Sequence, residues 1–169
     1  ISTFDGTWGG ERQRHQTKLT SGTFCIDSKV CSSSCMHNPF FTLEGCKTND
    51  LKYAFNLIYS GNHKQQVDIS PYGSTRVITG INDYLLNYEV KGGESFITPQ
   101  AVMVTATSCD DLTLEMNKFT LNHIINEKFA NTLRPVLYNH WEGTGINFDE
   151  KLLLELADIA KTVGTELFV

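Results

Sequence analysis

Between residues 24 and 107, apolar and polar positions alternate in short runs broken by Gly, Asn, Asp, Ser and Pro. A period of two is that of a strand with one buried face. The clearest run is 52–59, where Tyr53, Phe55, Leu57 and Tyr59 alternate with Ala54, Asn56 and Ile58 and present one strongly aromatic face. Ser60-Gly61-Asn62-His63 then predicts a turn. Further strands are predicted over 65–69, 75–81, 85–90 and 101–107, with turn chemistry at Ser70-Pro71-Tyr72-Gly73, Asn82-Asp83 and Lys91-Gly92-Gly93. Strands at these short intervals are the texture of an antiparallel sandwich.

At residue 108 the period lengthens. Ser108-Cys109-Asp110-Asp111 has the form of a capping box, a Ser with an acid three residues on, and it opens a stretch to about Phe129. Leu112, Met116, Phe119, Ile124 and Ile125 fall there near helical spacing, which predicts a connector helix. From Arg134 the pattern changes again. Pro135-Val136-Leu137-Tyr138-Asn139 reads as a short strand. After a loop, Asp149 is placed as N-cap of a helix with the stripe Leu152, Leu153, Leu156, Ile159, Ala160 and Val163, closed by Lys161 and by Gly164 as C′. Leu167-Phe168-Val169 is the next strand. Strand, helix and strand in about 35 residues predict a βαβ unit with parallel strands and a right-handed crossover. One such unit cannot cover its own faces, so the expected context is a barrel or doubly wound domain of which this is the beginning. The start at Ile1 and the apolar end at Val169 lead to the same expectation, a piece of a larger protein.

Composition narrows the partners. The 169 residues carry 14 Lys and Arg against 19 Asp and Glu, a net charge of −5, and the cations are scattered along the chain, which argues against a nucleic-acid partner. No apolar run approaches the roughly 20 residues of a spanning helix, and the mean hydropathy of −0.22 agrees, so no membrane partner is expected. Ten Phe, six Tyr and two Trp are ample for a packed core. The cysteines, Cys25, Cys31, Cys35, Cys46 and Cys109, are odd in number, which fits reduced thiols and a cytoplasmic location better than a disulfide framework. The Cys31, Cys35, His37 and Cys46 cluster lacks the spacing of paired zinc knuckles, so no metal is expected.

In parallel α/β domains functional groups gather at the C-terminal ends of the strands. Here that position is Asn139-His140-Trp141-Glu142-Gly143, an amide, an imidazole, a ring face and a carboxylate of the kind that grips a sugar. The alternative is structural: Trp141 packs over a rim and Glu142 caps or is solvated.

Three segments, Arg134-Pro135-Val136-Leu137-Tyr138-Asn139-His140-Trp141-Glu142, Phe148-Asp149-Glu150-Lys151-Leu152-Leu153 and Gly164-Thr165-Glu166-Leu167-Phe168-Val169, resemble the opening of the catalytic barrel in α-galactosidases of glycoside hydrolase family 36. Upstream, Phe4-Asp5-Gly6-Thr7-Trp8-Gly9-Gly10-Glu11-Arg12, His37-Asn38-Pro39-Phe40, Tyr59-Ser60-Gly61-Asn62 and Gly93-Glu94-Ser95-Phe96-Ile97-Thr98-Pro99 resemble the N-terminal β-supersandwich of the same family, in the same order. Cys31-Ser32-Ser33-Ser34-Cys35-Met36 departs from the run the family shows before His-Asn-Pro-Phe, and Gly10 stands where many relatives carry a charge.

The resemblance implies a mainly β fold: part of a supersandwich over 1–107, a connector helix over 108–131, and the first βαβ of a (β/α)8 catalytic barrel over 132–169. It implies a retaining hydrolase of melibiose- and raffinose-type oligosaccharides, tetrameric, without metal or nucleotide cofactor. The nucleophile and acid/base would be aspartates on later strands, beyond Val169, leaving this chain inactive alone. Trp8, Trp141 and Asp5 would line the sugar site. The structural readings of the first and last are a sandwich-edge core residue for Trp8 and a turn carboxylate for Asp5, with Arg12 in a surface or interface ion pair. The alternative to an enzyme segment is a self-standing β-sandwich that binds carbohydrate or serves in assembly. His15, His63 and His123 are expected as surface or hydrogen-bonded core residues.

Overall fold

The computed structural model describes residues 1–33, 36–45 and 49–169. The chain forms two compact units, Ile1–Lys118 and Phe119–Val169.

The first unit is built from two antiparallel sheets. A five-stranded sheet has the order β2-β1-β4-β5-β8, made by β1 (Ser2–Thr7), β2 (Gly10–Gln16), β4 (Phe40–Leu43), β5 (Lys52–Ile58) and β8 (Gln100–Ala106). A three-stranded sheet, order β3-β6-β7, comes from β3 (Gly22–Asp27), β6 (His63–Ile69) and β7 (Thr75–Ile81). The alternation read from β5 has structural consequences on both faces. On one, Ala54 is buried with Leu112 and Met116 of α1 (Cys109–Phe119), among Phe40, Val102, Val104 and Ala106. Leu112 and Met116 are four residues apart and so share one helical face. On the other, Phe41 pairs in register with Phe55, their rings stacked at 5.0 Å, and Leu57 is buried. The fold is therefore mainly β, as expected.

Buried positions of β6 alternate as His63, Gln65 and Val67, while Lys64, Gln66 and Asp68 face outward. Asp68 accepts from Thr23, Gln66 and Arg76, and the Arg76 guanidinium holds its carboxyl below the usual carboxylate range. His63 is fully buried, and its Nε2 lies 2.8 Å from the carbonyl of His37. A carbonyl only accepts, so Nε2 carries the proton. Burial pushes this imidazole below its ordinary pKa. Asn82 closes the region, its Nδ2 donating to the carbonyls of Ser28 (3.0 Å) and His63 (3.3 Å).

The segment 85–90 is not a strand. Asn82 Oδ1 accepts from the Tyr84 backbone N–H, which turns the chain, and Leu85 takes a left-handed φ of 54° with 87% of its surface exposed. The alternation of 85–90 finds no partner strand among the described residues. β1, β2, β3 and β4 lie outside the period-two runs, because short strands with many polar positions, such as Gly10–Gln16, carry little of that signal.

The predicted connector is interrupted. Ser108 Oγ accepts from the Asp111 backbone N–H at 3.0 Å, so the box caps α1 as expected. A π-helical turn over Thr120–Ile124 follows, Ile125 is extended, and Asn126 starts the short α2 (Glu127–Ala130) by accepting from the Lys128 N–H. A side-chain acceptor at Asn126 favours a new helix start over continuation of the old one.

In the second unit β9 (Leu137–Tyr138) and β10 (Leu167–Phe168) are parallel, with α3 (Trp141–Thr144) and α4 (Glu150–Thr162) between them. Asp149 Oδ1 accepts from Leu152 N–H at 2.8 Å, and Gly164 has the left-handed φ of 87° that ends a helix. The βαβ reading thus holds to its caps.

Candidate functional site

Trp8 stands at the tip of the β1–β2 hairpin with 91% of its surface exposed, so it is no core residue of the sheet edge. The hairpin's shape comes from the glycines around it. Thr7 pairs with Gly10 and Asp5 with Gln13, so Gly6 alone faces both Glu11 and Arg12, a β-bulge. Gly6 has φ 152°, and a Cβ there would lie 2.4 Å from the carbonyl oxygen of Gly10 and 2.6 Å from Glu11 Cα. Arg12 occupies the left-handed region at φ 58°. For a residue with a Cβ such as Arg12, a left-handed conformation costs about 1–3 kcal/mol, whereas glycine adopts it freely. Gly9, at φ 77°, makes the turn after Trp8, and its N–H donates to Glu11 Oε1 at 3.0 Å.

Asp5 is a strand residue and not a turn carboxylate. Its Oδ1 lies 2.8 Å from Nε2 of His15, three residues past the bulge on β2. No ion pair of Arg12 occurs among the described residues. His15 gave no signal in the sequence, because a cross-strand pair that spans a bulge has no fixed spacing.

In the second unit the C-terminal end of β9 leads straight into α3. Asn139 Oδ1 accepts from the Trp141 N–H at 3.1 Å, fixing the turn, and Trp141 is 51% exposed. Glu142 is exposed in the first turn of α3. His140 N–H donates to the carbonyl of Val169 at 2.9 Å, which joins the ends of β9 and β10. The His140 ring lies 4.8 Å edge-on from Phe148 and is stacked at 6.3 Å with Phe168, and its Nδ1 meets Thr144 Oγ1 at 2.9 Å. The same hydroxyl donates to the His140 carbonyl at 3.1 Å. Glu166 is structural, its Oε2 accepting from the Val136 N–H at 2.8 Å.

The second unit has two shallow clefts. One is lined by Leu121, Asn122, Ile125, Glu127, Ala130 and Asn131, the other by Asn147, Phe148, Asp149 and Leu152. Each offers one carboxylate, and Asp149 is engaged as a helix cap. Retaining glycoside hydrolysis needs two about 5–5.5 Å apart. No group of three or more His, Cys, Asp and Glu side chains suited to a metal occurs among the described residues. The thiols Cys35 and Cys46, and with them the Cys31, Cys35, His37 and Cys46 cluster, fall outside the described residues.

The model of the glycosyl hydrolase family 36 N-terminal domain matches residues 1–91, more than half the chain, and the Melibiase model matches 95–169. The chain is 34% identical to the "Probable alpha-galactosidase C" of Aspergillus terreus, over 97% of its own length and 22% of that protein. It is 34% identical to "Alpha-galactosidase Mel36A" of Lactobacillus acidophilus, over 100% of its own length and 24% of the relative. Among solved structures, the α-galactosidase of Lactobacillus brevis matches with a TM-score of 0.91 and 34% identity, covering 99% of this chain and 23% of that one. A variant of the family 36 α-galactosidase AgaA from Geobacillus stearothermophilus, in complex with raffinose, matches with a TM-score of 0.89 and 29% identity, covering 99% and 24%. The chain spans less than a quarter of the length of each of these relatives.

Proposed function

Because the chain belongs to glycosyl hydrolase family 36, we propose that it is a segment of a retaining α-galactosidase that removes terminal α-galactosyl residues from melibiose- and raffinose-type oligosaccharides. The observation that carries this reading is the succession of the two family matches, 1–91 and 95–169, along a single chain. A relative that holds raffinose favours that substrate class.

In this reading residues 1–107 are part of a supersandwich, 108–131 a connector, and 132–169 the first βαβ of a catalytic barrel. The C-terminal ends of β9 and β10 then face the barrel mouth, where sites of such barrels lie. Trp141 gives a ring face there. In the first unit Trp8 offers an aromatic face and Asp5 a hydroxyl acceptor to a sugar, the exposure of Trp8 on a bulge-shaped hairpin being what supports its part. The nucleophile that attacks the anomeric carbon and the acid that protonates the leaving oxygen are aspartates beyond Val169. The enzyme works as a tetramer, needs no cofactor, and resides in the cytoplasm, where five thiols stay reduced. Its acidic balance of charge favours a partner other than nucleic acid, and no helix among the described residues is long and apolar enough to cross a membrane.

The test is hydrolysis of p-nitrophenyl α-galactoside and raffinose by the full-length protein that carries this segment. Release of galactose, lost when Trp8 and Trp141 are both replaced by Ala, supports the reading. A full-length protein inactive on both substrates refutes it.

A further inference from the structure

We propose that His63 is a positioning residue for the β1–β2 hairpin: its Nε2–H holds the carbonyl of His37, and the Asn38 N–H that follows holds β1 at Phe4, the residue before Asp5. The proposal rests on the reading of Asp5 and Trp8 as sugar contacts.

The hairpin is tied to its sheet at few points. β1 pairs with β4 only at Ser2 and Thr3, whereas its pairing with β2 continues to Thr7 and Gly10. Pro39, directly before β4, has no N–H to donate. Past Thr3 the tie is made by Asn38, whose N–H donates to the Phe4 carbonyl at 3.0 Å. Outside the strand ladders, no other backbone hydrogen bond among the described residues joins 4–15 to the rest of the unit. Asn38 is placed in turn by its two neighbours. The Pro39 carbonyl accepts from the Leu57 N–H at 2.9 Å, and the His37 carbonyl from His63 Nε2 at 2.8 Å.

His63 is suited to keep that carbonyl in one place. It opens β6, its own carbonyl accepts from the Ser28 N–H at 2.9 Å and from Asn82 Nδ2 at 3.3 Å, and its side chain is fully buried. Nδ1 is buried and has no partner among the described residues, so the neutral ring directs its one N–H at His37. A proton added at Nδ1 would create a buried N–H without an acceptor there. The titratable groups facing the ring are His37, which opposes a charge on it, and Asp27, which favours one and is itself paired with Lys29 at 2.9 Å. The hold on His37 therefore belongs to the neutral imidazole, and acidification loosens it.

The experiment measures raffinose hydrolysis and amide exchange in the full-length protein. His63→Leu removes the donor and leaves a buried carbonyl unpaired, which should lower the protection of the Asn38 amide roughly 5- to 150-fold. Exchange in residues 2–16 should quicken relative to β5 and β8, and KM should rise roughly 3- to 10-fold with kcat within about twofold. His63→Gln keeps an N–H donor for His37 and should restore most of the Asn38 protection and of the KM; equal KM values in the two variants would show a ring that only fills space, and overturn the proposal. If Trp8→Ala raises KM but His63→Leu leaves KM and hairpin exchange unchanged, the inference is overturned and the site reading stands. If Trp8→Ala leaves KM unchanged, the site reading fails and the positioning role with it. Should His63→Leu not fold, acidification decides. Between pH 7.5 and 5.5 the Asn38 protection should fall about tenfold more in the wild type than in His63→Gln, because opening takes up one proton at an imidazole of ordinary pKa; equal falls overturn the proposal.

Discussion

Replacing Gly6 by Ala puts the hairpin reading under direct strain. The added Cβ would sit 2.4 Å from the Gly10 oxygen, 2.6 Å from Glu11 Cα and 2.9 Å from the Arg12 nitrogen. All three are backbone atoms, so no side chain can swing aside. The φ of 152° adds a cost of about 1–3 kcal/mol for a residue with a Cβ. Relief of the overlap requires the bulge to open, which loses roughly two ladder hydrogen bonds at about 0.5–1 kcal/mol each. Together these come to about 2–5 kcal/mol, or roughly 30- to 4000-fold in the population of the closed hairpin, at about 1.4 kcal/mol per factor of ten. The expected result in the full-length enzyme is faster amide exchange confined to residues 2–16, unchanged protection in β5 and β8, and a raised KM for raffinose with kcat little altered. Exchange in the hairpin as slow as in the wild type, or a KM unchanged despite an opened hairpin, would rule out this role for the bulge at Gly6.

Trp8→Ala should raise KM for raffinose in the full-length enzyme without lowering its melting temperature, because the ring is exposed in the first unit; a KM unaffected by the change counts against the sugar wall. His63 supplies a pH dependence. Its folded pKa lies below the ordinary 6.5, so the unfolded chain binds the proton more readily and stability present above about pH 6.5 is lost as pH falls from there toward the folded value. Denaturant midpoints of the full-length protein at pH 7.5 and 5.5 should fall less on acidification in His63→Gln, which keeps an N–H donor for the His37 carbonyl; equal losses would contradict this. Leu112→Ala opens a cavity between α1 and the five-stranded sheet and should cost about 2–5 kcal/mol, read as a lower denaturant midpoint. Asp149→Ala removes the cap of α4 and should cost about 1 kcal/mol, seen as faster exchange of the Leu152 amide.

Where a residue's structure is set by its near neighbours, the sequence was readable. The period of 75–81 matches β7 residue for residue, and Asp149 and Gly164 mark the ends of α4 because caps depend on atoms three or four residues away. Legibility fails where distant parts decide. Residues 85–90 alternate like a strand, but a side-chain acceptor at Asn82 and a left-handed Leu85 turn them away from any partner. The helix after Ser108 keeps its apolar spacing past Phe119, yet Asn126 begins a new turn by capping Lys128. Asp5, Trp8 and Trp141 are sugar-contact candidates by resemblance, and the pattern of residues 139–143 at a strand end points to the second cluster. What surrounds them was not readable. The His15–Asp5 pair spans a bulge that only the strand register reveals, and the Thr144–His140 contact hinges on a four-residue helix too short to show a period.

On the proposed function, this segment lends aromatic faces to a sugar site whose reacting carboxylates are supplied by other parts of the full-length protein. The measurement that bears on it most directly is galactose release from raffinose by the full-length protein and by the 169-residue chain at equal molarity. The proposed function predicts turnover by the first and none by the second. Turnover by the verified 19.0 kDa chain would contradict it and would require a carboxylate pair among the residues described above.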